Sequence, residues 1–327
     1  MEFELIERYF SNAGSDRADV ILGVGDDAAI LAPPHGCELV VSTDTLVSGI
    51  HFFSDVDPFS LGHKALAVNL SDLAAMGARP AWVTLALTMP QVDEPWLDGF
   101  SRGFSTLARQ HGVQLVGGDT TCGPLSITVQ AMGFVAQGQA WRRDTAKIGD
   151  LIYVTGTLGD AGLALQAKQQ TLPFAQSHLA ELVSRLEQPT PRIVEARALD
   201  GLVNAAIDLS DGLLSDLGHI LQASDVGAVI ELGALPLSLA FRACQRDDTV
   251  SQQPDTFWQA LPLTAGDDYE LCFTIAPEQK GSVEARLSQQ GLVAHCIGVI
   301  DGGPGLRCVQ KNGELFQSEQ SGYEHFQ

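Results

Sequence analysis

Apolar positions recur along the chain in two rhythms, one near 3.6 residues and one of 2, and they predict a mixed succession of helices and strands. In the first half, residues 2–10 carry a short amphipathic helical pattern, while 28–31 and 38–47 read as strands broken by turn residues. Helical spacing follows over 59–76, a β-like run over 81–89, a helical pattern over 96–111, and strand patterns over 113–116 and 125–135. The turn Lys147-Ile148-Gly149-Asp150 then leads into a fresh strand at 151–155, which sets the expected domains at 1–147 and 148–327. The second half predicts helices after Gly159 and over 179–186, 192–199, 213–223 and 278–289. Its expected strands are 205–209, 228–232, 269–275, 293–300 and 306–309, and 252–255 reads as loop. Helices and strands mixed in this way give an α+β or α/β architecture.

Composition agrees with two domains. The 327 residues are 45% hydrophobic and 18% charged, enough apolar material for a core in each. No run reaches the roughly 18 apolar residues of a spanning helix, and the opening MEFELIERYF has no basic and apolar leader pattern, so the expectation is a cytoplasmic enzyme with no membrane partner. A net charge of -21 disfavours nucleic acid and anionic lipid as partners, because both would be repelled over most of the surface. The six cysteines are scattered without CxxC or zinc spacing, which suits reduced, structural thiols.

The chemistry-bearing signal is aspartate recurring in Gly/Ser/Thr-rich turns beside apolar runs: GVGDDAA (Asp26, Asp27), STDTL (Asp44), LVGGDTT (Asp119) and DLSDGL (Asp208, Asp211). Asp72, in NLSDLAAMG, adds a carboxylate from an apolar helix. Converging carboxylates repel unless cations stand between them. Oxygen donors, with the hydroxyls of Ser42 and Thr43 and no Cys/His cluster, suit magnesium, which completes its shell with water and phosphate. Each motif alone also reads as a turn or a helix cap. The residues by themselves therefore reach a magnesium-phosphate enzyme as a hypothesis and stop there. A GxxxxGK[ST] loop, a GxGxxG and an HRD/DFG set are all absent. GTLGDAG at 156–162 is Gly-rich and receives no role. Arg102, Arg142 and Arg143 are candidate phosphate contacts beside a surface reading. On the residues alone His51 reads first as a packed, hydrogen-bonded histidine and Tyr323 as an aromatic anchor.

Taken in order, GVGDDAA, STDTL, GIHF, NLSDLAAMGA, GGDTT, DLSDGL, DDYEL and GYEHF resemble the thiamine-monophosphate kinases, relatives of aminoimidazole ribonucleotide synthetase and selenophosphate synthetase. The resemblance implies an N-terminal α+β domain that forms a homodimer interface and binds ATP and metal, and a C-terminal α/β domain over the active-site cleft. It implies ATP-dependent conversion of thiamine monophosphate to thiamine diphosphate. Asp27, Ser42, Thr43, Asp44, Asp72, Asp119 and Asp208 would gather several Mg2+ ions, and Asp211 would hold a further one. Gly118, Asp119, Arg143, Ser210 and Arg102 would meet ATP, while His51, Asp267 and Tyr323 would face thiamine monophosphate. A monovalent cation is an additional candidate. The chain departs from the family in having Asp267-Asp268 where Glu-Asp is common before YEL, and Arg102 where an aromatic is common. The alternatives are a sister synthetase of the same superfamily, or a noncatalytic metal- or nucleotide-binding regulator; no DxDxDG calcium loop supports the latter.

Overall fold

In the computed structural model, residues 2–11, 13–170, 172, 176–247, 250 and 252–316 are described. They divide between two units, Met1–Ala140 and Trp141–Gln327. Residues 141–147 belong with the second: Trp141 is buried and Arg142 bridges to Ala205.

The first unit runs α1 (Glu2–Tyr9), β1 (Val20–Leu22), β2 (Ile30–Leu31), β3 (Cys37–Val47), α2 (Pro58–Ala75), β4 (Arg79–Met89), α3 (Glu94–Gln110), β5 (Gln114–Cys122) and β6 (Ser126–Ala136). Strands β3, β6, β4 and β5 form one sheet in that order, antiparallel except for the parallel β4–β5 pair. Helix α2 begins on Asp57, whose carboxylate accepts the Ser60 N–H, with Pro58 at the first helical position. It ends where Gly77 enters the left-handed region at φ +67° and the Ala78 N–H donates to the Leu73 carbonyl. Between these ends Leu66, Leu70, Leu73 and Ala74 are fully buried, so nearly the whole helix is core.

Three glycines let α2 and α3 approach closely. A Cβ on Gly62 would lie 2.0 Å from the Phe100 carbonyl oxygen, and one on Gly103 would lie 1.9 Å from that of Phe59, while one on Gly99 would meet Pro58. Strand β5 is longer than its apolar pattern. The GGDTT segment continues the strand because residues 117–122 pair with β4, and Asp44 likewise lies within β3. Two of the expected turn aspartates are therefore strand residues.

The second unit comprises β7 (Leu151–Thr155), α4 (Asp160–Lys168), α5 (Gln176–Glu187), α6 (Ile193–Ala198), β8 (Ala205–Asp208), α7 (Leu213–Ser224) and β9 (Gly227–Glu231). It continues through α8 (Leu239–Arg246), α9 (Asp255–Thr264), β10 (Leu271–Ile275), α10 (Lys280–Gln289), β11 (Ala294–Asp301), β12 (Leu306–Val309) and β13 (Leu315–Phe316). Its strands form a seven-stranded sheet ordered β13-β12-β9-β11-β7-β10-β8, with β9–β12 the parallel pair. One core cluster sets Ile152, Val154, Ile207, Leu217, Ile220 and Ile230 together; a second gathers Leu163, Leu182, Phe241 and Trp258. The alternation of helix and strand expected from the sequence is present in both units, with α8, α9 and the short β1 and β13 added. No helix among the described residues is long and apolar enough to cross a membrane.

The helix contact yields a stability prediction. Gly103→Ala should lower the urea unfolding free energy by about 1–3 kcal/mol through overpacking. Gly218→Ala, in α7 with nothing within 4 Å of the added Cβ, should raise it by roughly 0.5–1 kcal/mol. Equal effects of the two would show that close helix approach is not what Gly103 provides.

Candidate active site

Strand alternation decides which side chains of STDTL can act together. On β3, Leu39, Val41, Thr43 and Thr45 face outward, whereas Ser42, Asp44 and buried Leu46 face α2. From α2, Asp72 accepts the Ser42 hydroxyl hydrogen bond. One turn earlier on the same helix face, the Asn69 side-chain oxygen accepts the Asp44 N–H at 3.1 Å. Its amide group donates to the Ala65 carbonyl at 3.0 Å. Asn69 thus satisfies a peptide group on the free edge of an edge strand and fixes the height of Asp44 above the helix. Asn69, fully buried, was not among the sequence candidates; its signal was a polar residue three positions before Asp72 in an apolar helix.

The result is two carboxylates in contact. Burial, then the charge and hydrogen bond of Asp72, push the Asp44 carboxyl up to about 7 from 3.8. The Thr43 hydroxyl lies on the opposite face, where Gln130 donates to it at 3.3 Å. Asp27 and Asp119 are exposed, Asp27 in the turn after β1 with its N–H donating to Asp26, and Asp119 on β5 opposite Ala86. Among the described residues no three His, Cys, Asp or Glu side chains form a ready metal cluster. The structure brings together Ser42, Asp44 and Asp72. Gly118 has a packing reason: a Cβ there would lie 1.9 Å from the Leu85 carbonyl oxygen. His51 follows β3 in a turn and its Nδ1 accepts the Val47 N–H at 3.0 Å, so a neutral ring carries its proton on Nε2.

Arg102 stands on the exposed side of α3, paired with Asp98 at 3.1 Å. It lines an open cleft of about 460 Å³ with Arg8, Tyr9, Phe59, Ser101, Ser105 and Arg109. Three arginines at one cleft are notable in a chain of net charge -21.

In the second unit, β8 delivers buried Asp208 to its end, and Leu209-Ser210-Asp211-Gly212 turns into α7. That turn is closed by Asp216, whose carboxylate accepts the N–H groups of Asp211 at 3.0 Å and Gly212 at 3.1 Å. Burial pushes Asp216 up to about 7, against the N–H bonds from Asp211 and Gly212 and the smaller pull of the Arg143 charge. Asp216 was also missed; an acid in the first turn of a helix was its signal. Arg143 is exposed and its carbonyl accepts the Ser224 hydroxyl at 2.8 Å, whereas Arg142 is engaged by Asp144. Asp267 is half-buried at φ +66°. Tyr323 lies outside the described residues.

The oxygen donors around this pair of carboxylates in contact, carried by a helix and an edge strand, are of the chemical type that suits a hard divalent ion. Family models agree with the fold: residues 25–135 match the AIR synthase related protein N-terminal domain and residues 147–311 its C-terminal domain. The thiamine-monophosphate kinase of Escherichia coli K12 is 49% identical over 99% of this chain and 98% of its own. The crystal structure of that kinase from Stenotrophomonas maltophilia K279a superposes with a TM-score of 0.83 at 46% identity, covering 92% of this chain and 93% of the other. AaThiL complexed with AMPPCP and TMP gives a TM-score of 0.77 at 29% identity, covering 93% and 92%. The chain therefore belongs to the AIR synthase related family and, within it, to the thiamine-monophosphate kinases.

The raised Asp44 carboxyl has a consequence for the metal-free protein. A folded value above the unfolded one means that stability is fully present below about 3.8 and is lost as pH rises through about 7. Without divalent ions, the melting temperature should therefore fall between about pH 4 and about pH 8, and Asp44→Asn should flatten that slope. An unchanged slope in the variant would remove the Asp44–Asp72 contact as its source.

Proposed function

We propose that this chain transfers the γ-phosphoryl group of ATP to thiamine monophosphate, giving thiamine diphosphate and ADP in the cytoplasm. The observation that carries the reading is the contact of Ser42, Asp44 and Asp72 in a chain so close to thiamine-monophosphate kinases. The donor chemistry fits magnesium, since every group offered is a hard oxygen. Asp27, Ser42, Thr43, Asp44, Asp72, Asp119 and Asp208 are proposed as Mg2+ ligands and Asp211 as the ligand of a further ion, with a monovalent cation as an additional candidate. Magnesium held there would supply positive charge that offsets the repulsion between two phosphate chains.

The chain's own residues are proposed to bind and align. Gly118, Asp119, Ser210 and Arg143 meet ATP, and Arg102 reaches it from its arginine-lined cleft. A guanidinium group such as that of Arg143 can take phosphate oxygens in pairs. His51, with its proton on Nε2, offers a donor to thiamine monophosphate, Asp267 places negative charge beside the cationic ring, and Tyr323 stacks on it. A phosphate oxygen of thiamine monophosphate forms its bond to the γ-phosphorus as the bond to the ADP oxygen breaks, in line and without a covalent enzyme intermediate. No general base is needed, because the attacking oxygen is already ionised near neutral pH. A homodimer is proposed through the first sheet, where Leu39 and Val41 on edge strand β3 are about half exposed.

Incubation with ATP, excess magnesium and thiamine monophosphate should give thiamine diphosphate one-for-one with ADP, with free thiamine inert as acceptor. Asp44→Asn and Asp72→Asn should each lower turnover by at least about 100-fold in folded protein. ADP without thiamine diphosphate, or near-normal turnover in both variants, would overturn the reading.

A further inference from the structure

The segment Asp267–Glu270 is stitched to the Leu209–Asp211 turn by main-chain bonds that extend the β8–β10 pairing beyond both strands. Asp267 donates its N–H to the Ser210 carbonyl at 2.9 Å, Tyr269 donates to the Leu209 carbonyl at 2.8 Å, and Leu209 donates to the Glu270 carbonyl at 2.8 Å. The segment takes this path at a cost, since Asp267 and Tyr269 both hold left-handed backbone, φ +66° and +49°. A strained stretch persists where its surroundings over-determine it. Here they do. The fully buried Glu270 carboxylate receives both Arg192 and Arg185, and the Thr155 hydroxyl at 2.7 Å. The buried Asp268 carboxylate accepts the Gly159 N–H at 2.9 Å. Both anchor points lie in or beside GTLGDAG. A Cβ on Gly156 would fall 2.0 Å from a Glu270 oxygen and 2.6 Å from Arg192, so this glycine makes room for the ion pair.

We propose that the Glu270–Arg185–Arg192 knot is a positioning device: it holds the turn bearing Ser210 and Asp211 and the turn bearing Asp267 in one fixed register. The inference rests on the proposed roles of those three residues and assigns Arg185, Arg192 and Glu270 none of the chemistry. Burial alone would raise the Glu270 carboxyl; Arg192 and Arg185 outweigh it and keep the group ionised, so the knot holds as charge.

Substitution at Glu270 risks unfolding, because it removes the fully buried carboxylate that both guanidinium groups share. Arg185, partly exposed and one of two partners, is the better probe. Hydrogen exchange without substrate should show the Leu209, Asp267 and Tyr269 amides of Arg185→Gln exchanging at least about tenfold faster than wild type, with the β3–β6 amides unchanged. Arg185→Lys should fall between, and it carries the same comparison should Arg185→Gln unfold. Per folded molecule, Arg185→Gln should raise the KM for thiamine monophosphate about tenfold, but less than about twofold when Asp267 is already alanine. Wild-type exchange at the three amides, or equal KM effects in both backgrounds, overturns the proposal. The exchange measurement needs no substrate, so a wild-type protein that makes no thiamine diphosphate would remove the functional reading and leave the knot's own test standing.

Discussion

Two carboxylates held in contact away from bulk water need a proton or a cation between them, and the first unit is built around that constraint at Asp44 and Asp72. Each supporting feature fixes one of the pair. The period of β3 turns Ser42 and Asp44 towards α2, Asn69 ties the Asp44 peptide to the helix, and the caps at Asp57 and Gly77 fix where α2 starts and stops. Close glycine-mediated contact with α3 then leaves α2 little freedom to move Asp72 away.

The second unit handles buried acids differently. Glu270 is balanced by two guanidinium groups, while Asp268 accepts the N–H of Gly159 and Asp216 accepts two N–H groups of the turn it closes. Such carboxylates act as fasteners for main chain. Burial still raises Asp216, to about 7, and Asp268 against these N–H groups, whereas at Asp44 the facing carboxylate of Asp72 adds to the effect of burial instead of opposing it.

Much of the fold was legible because amphipathic periods survive in most elements. Segments escaped where local chemistry masked the period: α8 is short and carries three charged or amide side chains among eight residues, and α9 contains Pro262. Gly117, Gly118 and the threonines of β5 disguised a strand that parallel pairing with β4 imposes. At the site, the aspartate motifs were visible, and so was the alternation that unites Ser42 with Asp44. What no pattern could show was which acids meet across the chain. Asn69, Asp216 and Glu270 matter through partners 25, 5 and 78 positions away in sequence. GTLGDAG offered no reading as a motif, because its function is to seat residues more than a hundred positions later.

Magnesium bound at the Asp44–Asp72 pair, as proposed, would displace the proton that the pair holds near neutral pH. Calorimetric titration of the purified protein with MgCl2, in buffers of differing ionisation enthalpy, reads that exchange as protons released on binding. Release of up to about one proton per chain is expected near pH 6.5, fading towards zero by about pH 8.5 and abolished in Asp44→Asn. Magnesium binding with no proton release at either pH, or with the same release in Asp44→Asn, would contradict it.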